Sequence, residues 1–133
     1  MRSALKKAKR IVVKVGTTQI TENGIVSKKR IAALVAALAA LRAANREVLL
    51  VTSGAVSAGI GVVGLQAKKG LSIPYKQAAA AIGQTLLMQI YAETFAARGI
   101  PCGQVLLTRD VMQHRERYLN ASNTLETLLK LGA

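Results

Sequence analysis

The chain has 133 residues, enough for one domain with a hydrophobic core, and no apolar run reaches the ~18 residues that a membrane span requires. Its 19 Lys and Arg against 6 acids give a formal charge of +13, an excess suited to anionic small molecules, nucleic acid or a membrane surface. One Phe, three Tyr and no Trp leave few rings on which to stack bases, and the basic residues are scattered apart from Lys6–Arg10 and Lys28–Arg30, which argues against a dedicated nucleic-acid module.

Residues 1–10 read as a basic N-terminal extension. It runs straight into the strand-like IVVKV rather than into a signal-peptide core, and the single Cys102 excludes an internal disulfide. Both features predict a cytoplasmic protein. Residues 11–15 are expected as a buried strand, and Asn23-Gly24 as a turn. From Ser27, which can cap a helix, Ile31, Leu34, Val35, Leu38 and Leu41 form one apolar stripe ending near Asn45. Val48–Val51 is apolar without alternation, as in a central parallel strand.

The stretch TSGAVSAG then turns into a helix starting near Ser53 or Gly54. Residues 65–72 read as a surface excursion. Pro74 suits the first turn of a long helix reaching about Arg98, with Gly99 at its end. Gln104–Leu107 is expected as a third strand, Thr108–His114 as a loop, and Arg115–Leu131 as a last helix closed by Gly132. This order predicts an α/β fold, a three-layer αβα sandwich with a mainly parallel sheet. The sequence stops at Ala133, where such a sheet would supply its next strand, so the expectation is a part of a longer protein.

In open parallel sheets, ligands bind beyond the carboxyl ends of the strands. Two loops there carry candidate chemistry. Gly16-Thr17-Thr18 can offer backbone N–H groups and two hydroxyls to phosphate oxygens. Lys14 stands two residues earlier, as a point charge for phosphate or as a simple edge-strand gatekeeper. The second loop, Thr52-Ser53-Gly54-Ala55, makes a strand-to-helix turn of small residues, suited to anion binding. Ser53 is a poor nucleophile candidate, because Val51 and Ala55 stand where a G-x-S-x-G elbow has glycines. The run Gly59–Gly64 matches G-x-G-x-x-G but follows no strand directly, and no acid occurs between Glu47 and Glu93 to hold a ribose. No Walker A motif and no zinc spacing occur. Ala78–Ala81 with Gly83 reads as a small-residue packing face, and Arg115–Tyr118 as a solvated first helical turn.

Taken in order, KVGTT, VTSGA, KQAAAAIGQ, QVLLTR and RERYLNASNTL resemble the N-terminal half of the bacterial glutamate 5-kinases, a branch of the amino-acid kinase family. The resemblance runs from about Arg10 to the last residue, so 11–133 would be the N-terminal part of an amino-acid kinase domain. It implies ATP-dependent phosphorylation of the γ-carboxylate of L-glutamate, with ATP and Mg2+ as cofactors, in the first step of proline biosynthesis. It further implies that Lys14 contacts the transferring phosphoryl group and that Lys14, Gly16, Thr17 and Thr18 hold ATP phosphates. Ser53, Gly54 and Ala55 would bind glutamate. No metal ligand is implied in this segment. Proline as feedback inhibitor and a homo-oligomer are also implied, although Val111 stands where relatives often carry an acid. The remaining active-site residues of the family fall beyond residue 133, so the isolated chain is expected to be inactive. The rivals are another carboxylate kinase of the same family and a non-catalytic basic RNA-binding module.

Overall fold

The computed structural model describes residues 7–64 and 70–133. The elements run β1 (Arg10–Val15), α1 (Thr17–Ile20), β2 (Thr21–Glu22), β3 (Ile25–Val26), α2 (Lys28–Ala43), β4 (Glu47–Thr52), α3 (Ala55–Val63), α4 (Ile73–Ala96), α5 (Arg109–Gln113) and α6 (Arg115–Lys130). β1 and β4 pair in parallel with Lys14 opposite Val51 and Val15 opposite Thr52; β2 and β3 form a small antiparallel hairpin. The α/β class with a parallel sheet is therefore observed, in a narrow form. Most of the expected 65–72 excursion and of the 1–10 extension lies outside the described residues. No described helix is long and apolar enough to cross a membrane.

Local signals placed the long helices. Ser27 Oγ accepts from Arg30 N–H at the start of α2, and Asn45 lies at φ +56 just past its end. α4 carries Pro74 in its first turn and is followed by Gly99 at φ +67. Asn23 and Gly24 both take positive φ, 52° and 78°, the geometry of a tight hairpin turn, and so create β2–β3.

The core sits on one face of the β1–β4 sheet. Val15 and Ile20 pack with Ile31 and Val35 of α2 and with Leu87, Ile90 and Tyr91 of α4; Val13 and Leu50 join them from the strands. The opposite face is tied to α6 through Arg10, which pairs with Glu47 at 2.6 Å and with Glu126 at 2.5 Å. That cover is partial. Val12, Lys14 and Val51 share this face by strand alternation, and Val12 and Val51 are 63% and 50% exposed. The expectation of a buried strand at 11–15 is thus corrected in part: β1 alternates, with Val13 and Val15 toward the core, and among the described residues the other face is only partly covered at its carboxyl end.

Two further expectations are corrected. Residues 104–107 form no strand. Gly103 lies against Leu128 of α6, and a cavity of about 520 Å³ opens among the segment, β4, α4 and α6. A ladder needs its neighbour about 4.8 Å away, and among the described residues the only strand paired with β4 is β1. Within the expected loop 108–114, residues 109–113 form the short helix α5. Asp110 binds the Thr108 hydroxyl and the Arg117 guanidinium, and these hold its carboxyl below the usual carboxylate range.

α3 and α4 touch backbone to backbone. A Cβ on Gly59 would lie 1.8 Å from Ala79 O, and one on Gly83 would lie 1.9 Å from Ala55 O and 2.2 Å from Gly59 N. The small-residue stretch of α4 therefore packs on α3 rather than on the sheet. The G-x-G-x-x-G run resolves in the same way. Gly59 is the contact point, Gly61 faces open space and Gly64 caps the helix at φ +64.

Candidate active site

The two small-residue loops lie side by side. Both follow the carboxyl ends of paired parallel strands, and Ser53 N–H donates to Val15 O at 3.1 Å, extending the ladder by one bond. Gly54 then takes φ +114, a conformation that only glycine adopts without strain. It backs onto the first loop, since a Cβ there would meet Ile20 Cδ1 at 2.8 Å and Thr17 Cγ2 at 4.0 Å. Two segments far apart in sequence thus share one wall.

Their donors divide unevenly. The Ser53 N–H is committed to Val15, so the second loop offers its exposed hydroxyl and the first N–H groups of α3, which lack intrahelical partners. In the first loop Gly16 sits at an ordinary φ of −83 and caps α1; Gln19 N–H donates back to Gly16 O at 3.2 Å. Thr17 is half-buried and Thr18 exposed, with the Thr18 hydroxyl 3.3 Å from Gln19 Oε1. Lys14 stands on the open face of the sheet, and among the described residues its ammonium has no hydrogen-bond or ion-pair partner. Lys14, Val15, Gly16, Gln19 and Leu34 line a depression of about 500 Å³ beside it. A cation beside Gly16, at the strand end from which both loops leave, can receive anionic oxygens together with their N–H groups and hydroxyls.

Supporting residues escaped the sequence reading. Tyr91 of α4 is buried, and its hydroxyl lies 3.0 Å from Thr52 Oγ1, which in turn donates to Ser53 O at 3.2 Å. Burial raises the Tyr91 hydroxyl pKa, with the Thr52 bond acting the other way. Arg30 reaches the carbonyls of Thr18 and Thr21, both at 2.7 Å, and Glu22 Oε1 at 3.2 Å. In sequence it was only the end of a basic cluster. The structure does not bring Arg117 into the loops, since it pairs with Asp110. Among the described residues no group of three His, Cys, Asp or Glu side chains could hold a metal ion.

Comparison with known proteins bears on this arrangement. Residues 9–133 match the model of the amino acid kinase family. The chain is 49% identical to a glutamate 5-kinase of Geobacter sulfurreducens, an alignment covering 99% of this chain and 36% of that protein. It is 48% identical to a glutamate 5-kinase of Thermus thermophilus, over 95% of this chain and 34% of the relative. One from Streptomyces coelicolor is 46% identical over 99% and 35%. The chain spans about a third of the length of these curated relatives. With a family match over nearly its whole length, the chain belongs to the amino acid kinase family.

Proposed function

We propose that this chain forms the glutamate- and phosphate-binding part of a glutamate 5-kinase, which transfers the γ-phosphoryl group of ATP to the γ-carboxylate of L-glutamate. The observation that carries the reading is the pairing of β1 with β4, which sets the Gly16–Thr18 and Ser53–Ala55 loops side by side at the carboxyl end of the strand that carries Lys14. The names of the relatives supply the substrate.

In this mechanism a glutamate carboxylate oxygen attacks the γ-phosphorus and ADP leaves. The carboxylate is already anionic, so no base has to remove a proton. The protein's task is placement and charge neutralisation. Lys14 lies against the transferring phosphoryl oxygens, where negative charge spreads in the transition state. Gly16, Thr17 and Thr18 hold ATP phosphates through N–H groups and hydroxyls. Ser53, Gly54 and Ala55 hold glutamate. Mg2+ supplies charge neutralisation on the nucleotide phosphates; the described residues offer it no ligand cluster, and none is assigned to it. The product, glutamyl 5-phosphate, is the first intermediate toward proline.

A hybrid enzyme tests the reading. Residues 1–133 replace the matching segment of the Geobacter sulfurreducens glutamate 5-kinase, and ADP release is followed in a coupled assay. Glutamate should support turnover, whereas N-acetylglutamate, aspartate and carbamate should not. Turnover with one of those three in place of glutamate would point to another carboxylate kinase of the family. The 133-residue chain alone should release no glutamate-dependent ADP; measurable turnover by it would contradict its role as part of a larger site. In the hybrid, Gly54→Ala should cost about 1–2 kcal/mol of stability from its positive φ. It should also raise the glutamate KM about fivefold or more by shifting the loop. An unchanged KM would remove Gly54 from the substrate site.

A further inference from the structure

We propose that Arg30 is the positioning residue of the first loop, fixing Thr17 and Thr18 at the carboxyl end of β1. What the loop binds rests on the kinase reading above. The need for such a residue follows from α1 itself. One turn of helix is too short to hold its own conformation, and its carboxyl-end carbonyls have no helical partners. The Arg30 guanidinium serves Thr18 O and, just past the helix, Thr21 O, while the Thr21 hydroxyl and Ser27 N–H serve Thr17 O and Ile20 O. Nη1 donates to Thr18 O and Thr21 O, both at 2.7 Å, while Nε donates to Glu22 Oε1 at 3.2 Å. A cation at a helix carboxyl end also meets a favourable dipole.

The guanidinium is itself anchored. The Arg30 backbone N–H donates to Ser27 Oγ at 3.4 Å, the Ser27 hydroxyl donates to Glu22 Oε2 at 2.9 Å, and Glu22 Oε1 accepts from the guanidinium, closing a ring back to Arg30. The Ser27 hydroxyl, more than Arg30, holds the Glu22 carboxyl below its usual range. Ser27 N–H donates to Ile20 O at 2.8 Å, and Thr21 Oγ1 donates to Thr17 O at 2.9 Å. Ile20 is fully buried and packs under Gly54. A continuous path thus runs from Arg30 through the α1 carbonyls to Ile20 and on to the second loop. Lysine cannot reproduce this, because a compact ammonium lacks the planar fork that spans two carbonyls and a carboxylate.

The test compares Arg30→Ala and Arg30→Lys in the hybrid enzyme by steady-state kinetics, and in the 133-residue chain by thermal melting and amide NMR. Arg30→Ala should raise the ATP KM about tenfold and leave the glutamate KM within about twofold, with Arg30→Lys between it and the native enzyme. The melting temperature should fall by no more than about 3 °C, because the guanidinium is partly solvated. In the chain, the amide resonances of residues 16–20 should move while those of the β1–β4 ladder stay. Kinetics unchanged by Arg30→Ala would overturn the inference and leave the kinase reading standing. So would unfolding by both variants, which would make Arg30 merely structural. A hybrid that fails to phosphorylate glutamate defeats the kinase reading instead. The amide comparison then decides, and unmoved resonances at residues 16–20 overturn the inference.

Discussion

Lys14→Ala in the hybrid enzyme is expected to lower kcat by about a hundredfold to a thousandfold, the range for losing one preorganised charge partner of a transition state. Stability should hardly change. Lys14 lies on the exposed face of β1, and among the described residues its ammonium has no partner to lose. A surface substitution of that kind stays within about 0.5 kcal/mol. Sequence alone left Lys14 divided between a gatekeeper of an exposed strand edge and a phosphate partner, and these predict different outcomes. A gatekeeper would be dispensable to kcat while its loss promoted aggregation. Measuring kcat and the melting curve on the same preparation separates the two. Near-native turnover by Lys14→Ala would leave it as a solvated strand residue.

The second large effect is one of sign. Alanine exceeds glycine in helix propensity by about 1 kcal/mol, so glycine-to-alanine changes inside helices should stabilise unless packing forbids them. Gly83→Ala should instead destabilise by about 3 kcal/mol or more, because its methyl group would overlap Ala55 O and Gly59 N and force α3 away from α4. For a domain of this size that corresponds to a fall of about 10 °C in melting temperature. Gly61→Ala, on the same helix as Gly59 but with open space around it, should stabilise by up to about 1 kcal/mol. Thermal denaturation of the two variants side by side reads out the opposite signs. If both stabilise, the close helix contact is not a feature of the protein. Because Ala55 is one of the atoms' owners at that contact, Gly83→Ala should also weaken glutamate binding in the hybrid.

What the sequence disclosed and what it hid follow from how local each cause is. α2 and α4 were legible because Ser27, Asn45, Pro74 and Gly99 act within one turn of themselves. The adjacency of the two loops was also within reach, since parallel strands place their following loops at one sheet edge. Gln104–Leu107 has the composition of a strand, yet a strand exists only through a partner, and this segment, which follows Gly103 packed on Leu128, pairs with none among the described residues. Val12 looked like core for a similar reason, because its hydrophobicity says nothing of whether a layer covers it. α1, the β2–β3 hairpin and α5 are too short for periodicity to register. The supports of the site were invisible because they are contacts through space. Arg30 reaches a carbonyl 12 residues earlier, and Tyr91 meets a hydroxyl 39 residues away.

The central claim is that Lys14 and the two loops act together in moving a phosphoryl group onto a carboxylate. Hydroxylamine traps an acyl phosphate as a hydroxamate, which a phosphate ester or simple ATP hydrolysis does not yield. The measurement is hydroxamate formation by the hybrid enzyme with ATP and L-glutamate, with and without Lys14→Ala. The account predicts glutamate γ-hydroxamate in step with ADP release for the native sequence, and its loss with Lys14→Ala. ADP release without hydroxamate, or hydroxamate formed equally well without the lysine, would contradict it.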